Sequence, residues 1–187
     1  MSSRLSIRLA LILLVGLAGC RREAPAPPPP VDTRAVDELV TQMVNRLALM
    51  HEVAEWKWKE KKPIADPVRE RELLDSLAAR AQVLGLNPSD VRWFFASQIE
   101  AAKLIQQDDF HRWTAEKREP RSRVRPLAEL RQEIDQVNQR LLDSLVATKD
   151  VPPQVFLDRF PMNPHTASIP SQARAAATAP WRESSGR

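Results

Sequence analysis

Four polar side chains stand where the periodicity of this chain would place apolar ones. From about position 34, Leu39, Met43, Met50 and Val53 recur at three- and four-residue steps, the repeat of one helix face. The same steps also land on Arg46 and Lys57, which lie close to three turns apart and point the same way. Farther along, Phe95, Ile99 and Ala102 continue to Gln106 and Phe110, so an amide donor sits on a packing face. Arg131 lies one turn after Leu127 and one before Ile134, and Asp66, Arg69, Glu70 and Leu73 share one side of a further segment. Burying an unpaired cation is costly, so a partly exposed stripe with snorkelling side chains is the ordinary alternative, as are structural buried ion pairs. A cation or an amide directed inward from every segment is hard to explain as structure, though buried ion pairs remain the competing reading. An anionic ligand in the core of a helical bundle would explain it.

Four helices are expected to position these groups. The first runs from Arg34 to about Lys61, with Val36, Val40, Leu47 and Ala54 as a second apolar line, and Pro63 marks the break. Asp66-Pro67 opens the second, which runs to Leu84 with Gly85 as its C-terminal cap. Asn87-Pro88-Ser89-Asp90 repeats the start signal for a third, through Phe94, Phe95, Ile99, Ile105 and Trp113 to about Lys117. A loop containing Pro120 precedes the fourth, which Pro126 opens and which continues through Leu130, Ile134, Val137 and Leu141 to Ala147. After Lys149, six prolines fall among the remaining residues without periodicity, so 149–187 reads as a Pro-rich, disordered tail. The expected fold is all-α, a bundle of about four helices over 34–148.

The first twenty residues read as a targeting segment. Arg4 and Arg8 precede an apolar run from Leu9 to Leu17, and Leu17-Ala18-Gly19-Cys20 resembles a bacterial lipobox with Cys20 as the lipidated residue. A plain signal peptide that happens to contain a cysteine is the alternative; both imply export. Residues 21–33, with four consecutive prolines, form a stiff spacer suited to a periplasmic domain on an N-terminal lipid anchor. Cys20 is the sole cysteine, so no intramolecular disulfide forms. Net charge is +4, and without Arg4 and Arg8 nearer +2, too little and too mixed with acid for nucleic acid. His51, His111 and His165 lack ligand spacing to one another, so no metal is expected. There is no Ser-His-Asp set and no glycine-rich phosphate loop. Trp56, Trp58, Trp93 and Trp113 read as core or interface aromatics.

Between about Asp37 and Leu142 the chain carries several motifs in order. They are Asn45-Arg46-Leu47, Glu55-Trp56-Lys57-Trp58, Lys62 to Glu70 (KPIADPVRE) and Phe95 to Lys103 (FASQIEAAK). Together they resemble the exported, gamma subclass of the all-helical chorismate mutases. The resemblance implies a Claisen rearrangement of chorismate to prephenate, without cofactor or covalent intermediate, in a homodimer whose protomers each hold their own site. It matches Arg46 and Arg131 to the arginines that clamp the two substrate carboxylates. Lys57 and Gln106 match the two donors to the ether oxygen of the breaking bond. Asp66, Arg69 and Glu70 match the cluster that positions the lysine and binds the ring hydroxyl, and Leu73 matches an apolar wall. Ala102 departs from the pattern, standing where relatives often have a hydroxyl residue. The competing reading is a non-catalytic envelope lipoprotein, either a scaffold or a binder of an aromatic carboxylate.

Overall fold

The computed structural model describes residues 32–184; the leader, Cys20 and nearly all of the proline-rich spacer lie outside them. α1 spans Arg34–Lys59, α2 Pro67–Val83, α3 Pro88–Ala115 and α4 Leu127–Ala147. These bounds follow from local chemistry. The Asp66 side chain caps α2 by accepting from the Arg69 amide, while the Glu70 carboxylate accepts from the Asp66 amide, a reciprocal cap. Asn87 caps α3 from the Ser89 amide, and Pro67 and Pro88 sit in the first turns. Gly85, at φ +72°, ends α2 in a Schellman turn: the Leu86 amide returns to the Ala81 carbonyl and the Gly85 amide to Gln82. α1 and α3 close with the same turn but place Lys61 and Lys117 in the left-handed conformation, at φ 51° and 52°.

α1 packs between α3 and α4, and α2 lies against α3. The core is the α1 stripe of Val36, Leu39, Val40, Met43 and Leu47 against Phe95 and Ile105 of α3 and Leu130, Val137, Leu141 and Leu142 of α4. Both apolar lines read from the sequence are buried, which is what fixes the rotation of α1 and hence the direction of Arg46 and Lys57.

The C-terminal expectation is corrected. The segment expected to be a disordered tail, 149–187, is ordered over its described part, 149–184: α5 (Pro153–Arg159), two 3-10 turns (Phe160–Met162 and Pro164–Ser168), α6 (Ser171–Ala177) and α7 (Ala179–Ser184) occupy most of it. The described residues therefore hold seven α-helices rather than about four. The prolines that argued against order start these turns, with Pro152 and Pro170 at N-cap positions and Pro153 in a first turn. Phe156, Phe160, Ala173, Ala177 and Trp181 are buried against the bundle, and Phe156 stacks on Trp181 at 4.8 Å. Arg159 forks onto Asp37 at 2.6 and 2.7 Å, tying α5 to the start of α1. α6 lies along α3, where Gln98 donates its side-chain amide to the Ala177 carbonyl at 3.0 Å.

Candidate active site

Arg46, Met50, Val53 and Lys57 form one line along α1, and this line is a wall of a cavity of about 130 Å³. The connection after α1 adds Ile64, and the start of α2 adds Asp66, Arg69, Glu70 and Leu73. α3 contributes Ile99, Ala102, Lys103 and Gln106, and α4 contributes Leu127, Arg131, Ile134 and Asp135. Every helix presents residues at three- and four-residue steps, so the site is a product of four amphipathic faces meeting. All nine residues singled out from the sequence line this one cavity.

Arg46 is only 3% exposed. Its Nε donates to Asn138 Oδ1 and its Nη1 to the Gln98 carbonyl, each at 3.0 Å. Both acceptors are neutral, and no ion pair to Arg46 forms among the described residues. Burial holds the guanidinium down at about 10, well below its ordinary value, partly offset by the field of Asp135.

Lys57 Nζ donates to the Ile64 carbonyl at 2.5 Å, which folds the connecting segment over the ammonium. Burial depresses its pKa, Asp66 and Glu70 oppose that, and Arg131 adds to it. Gln106 is 3% exposed; its Nε2 donates to the Ala102 carbonyl at 3.1 Å, and its Oε1 is buried without a partner. The broad terminal torsion of glutamine leaves that amide free to turn its donor toward a ligand.

Arg131 sits differently from the inward position its spacing suggested. Its side chain is 44% exposed at the mouth, and Nη2 donates to Asp66 Oδ2 at 3.1 Å. Asp66 thus caps α2 with one oxygen and holds Arg131 with the other. An exposed pair of this kind is worth no more than about 1 kcal/mol, so an incoming carboxylate can compete for the guanidinium. Arg69 bridges to Asp135 at 3.2 Å, and Lys103 lies 2.9 Å from Glu100 and 3.7 Å from Glu70.

Lys103, Asp135 and the Arg46 acceptors Gln98 and Asn138 received no role from sequence reasoning. A signal existed for two of them. Asn138 continues the Leu127, Arg131, Ile134 line of α4, and Lys103 lies one turn before Gln106. Counting the lining side chains, five cations face three carboxylates, an excess of two positive charges in a largely apolar cavity. That arrangement suits a small dianion whose body is apolar, with an amide and an ammonium left to address a neutral or developing oxygen charge.

Comparison with known proteins bears on the same region. Residues 33–107 match the family described as chorismate mutase type II. The chain is 32% identical over 101 residues to the secreted chorismate mutase of Yersinia pestis, covering 54% of each protein. It is 32% identical over 117 residues to the monofunctional chorismate mutase of Enterobacter agglomerans, covering 62% of this chain and 63% of that one. It therefore spans between about half and two thirds of the length of these curated relatives. Among solved structures, the chorismate mutase of Burkholderia thailandensis superposes with a TM-score of 0.68 at 34% identity, over 81% of this chain and 98% of that one. The chorismate mutase of Burkholderia phymatum gives 0.70 at 25%, over 79% and 95%. With one relative of 34% identity matched over nearly its whole length, in the same helical fold, the chain belongs to the chorismate mutase family.

Proposed function

We propose that this chain catalyses the rearrangement of chorismate to prephenate. The observation that carries the reading is Arg46: a buried guanidinium held by two neutral acceptors, in a cavity with two excess positive charges. Such a group destabilises the empty protein and is repaid by a carboxylate.

The reaction is intramolecular: the ether C–O bond breaks as a C–C bond forms, and no proton, electron or leaving group departs. Catalysis then reduces to holding a flexible dianion in its compact conformer and stabilising negative charge that grows on the ether oxygen. Arg46, buried, and Arg131, at the mouth, grip the two carboxylates, Arg131 exchanging its pair with Asp66 for one with substrate. Lys57 and Gln106 donate to the ether oxygen. Asp66 and Glu70 set the field around Lys57 and, with Arg69, meet the ring hydroxyl, while Leu73 packs against the ring. Ala102 offers no hydroxyl, which removes roughly 1 kcal/mol of carboxylate binding at that point.

The finer reading is of an exported, gamma-subclass enzyme with a lipid anchor at Cys20, working as a homodimer. Its support is the leader, the relatives named as secreted, and a cavity whose walls come from a single chain. Adding chorismate to the purified protein and following its ultraviolet absorbance tests the activity. An unchanged spectrum alongside saturable binding would leave a dicarboxylate-binding protein and sink the enzyme.

A further inference from the structure

A second concavity opens where α1 and α3 end side by side. It encloses about 810 Å³, within the range of sites for small organic ligands. Its floor is a set of rings: Trp58 meets Phe110 edge-on at 5.1 Å and Trp113 at 5.7 Å. Trp113 is core, but Trp58 and Phe110 keep part of their surface open to the groove. The polar lining is lopsided. Lys57, Lys61, Lys62, Lys117 and Arg118 face it against Glu119.

Arg118 is accounted for structurally, since it lies 4.5 Å over the Trp113 ring and pairs with Glu55. Lys61, Lys62 and Lys117 are exposed and form no ion pair among the described residues. The helix dipole attracts cations to the last turn of a helix, but Lys61 and Lys117 lie one residue past each C-cap. There they hold the left-handed backbone that glycine adopts freely and that the chain gives to glycine at the end of α2. Two ammoniums kept at a backbone penalty, one just past the end of each helix and both lining one ring-floored groove, call for an anion with a flat apolar body.

We propose that this groove binds a single-ring aromatic carboxylate, its ring on Trp58 and Phe110 and its carboxylate between Lys61 and Lys117. This site is separate from the cavity of Arg46, although Lys57 lines both. The proposal does not depend on chorismate turnover.

The probe is 3-phenylpropionate, titrated calorimetrically into the purified protein, with neutral 3-phenylpropionamide as the control for charge. The decisive variant is Lys61→Gly/Lys117→Gly. It removes both ammoniums while relieving the backbone, so Tm should hold or rise and a loss of binding cannot be blamed on unfolding. The expected result is saturable binding in the wild type, weakened at least tenfold by the glycine pair and by the amide, and unchanged in Arg46→Met. Binding lost in Arg46→Met but kept in the glycine pair would place the carboxylate in the first cavity and overturn the proposal. So would equal affinity for the neutral amide, or no saturable binding at all. Lysine-dependent binding to phosphatidylglycerol vesicles, with no binding of the carboxylate, would equally overturn it and mark the patch as a lipid-facing surface.

Discussion

Arg46→Met should make the protein more stable and inactive at once. The guanidinium is 3% exposed and held by burial at about 10, well below its ordinary value, so the fold disfavours its charged form by roughly 3 kcal/mol. Methionine fills similar space and removes that cost. It also orphans Asn138 Oδ1 and takes one bond from the Gln98 carbonyl, which returns about 1–2 kcal/mol. The net is a gain of roughly 1–2 kcal/mol, or about 2–8 °C in Tm for a domain of this size. Arg46→Met/Asn138→Leu removes the orphaned acceptor as well and should gain more. Activity moves the other way. Losing charge-assisted bonds to a carboxylate, each worth about 1.5–3 kcal/mol, should lower kcat/KM by roughly two to four decades. Thermal unfolding and steady-state kinetics on the same preparations check both halves. A variant that is destabilised by several kcal/mol, or that turns over near the wild-type rate, would refute the reasoning, because Arg46 would then be a structural cation and the ligand would lie elsewhere.

Three further outcomes are expected. Lys57 stabilises the growing negative charge as an ammonium, and burial depresses its pKa, so kcat/KM should fall with rising pH below the range of a solvated lysine; Lys57→Ala should abolish turnover with the helical circular dichroism intact. Gln106→Glu should confine turnover to acid pH, since only the protonated carboxyl donates and an ionised one opposes the charge growing on the ether oxygen; a variant indifferent to pH would remove Gln106 from the reacting atoms. Phe156→Ala should cost about 3–5 kcal/mol and lower Tm accordingly, because it empties the place stacked on Trp181; a loss below about 1 kcal/mol would mean that the C-terminal helices contribute little to the fold.

The four long helices were legible in the sequence to within about two residues at each end. Their boundaries are set by neighbours in the chain: Asp66-Pro67 and Asn87-Pro88 at starts, Gly85 at an end. The inward direction of Arg46, Lys57 and Gln106 was legible for the same reason, since a helix repeats its faces at a known interval and the apolar stripes mark which face is buried. What lay beyond local signals was decided by packing. The short C-terminal helices cannot be read from periodicity, because each is only a turn or two long and forms by burying Phe156, Phe160 and Trp181 on a surface that exists only once the bundle has assembled. The engagement of Arg131 with Asp66 depends on a partner 65 residues away. The seat of Arg46 depends on Gln98 and Asn138, 52 and 92 residues distant, which meet only where α1, α3 and α4 converge. Sequence periodicity could say that a cation points into the core; only the assembled bundle shows that the groups waiting there are neutral, leaving its charge for a ligand.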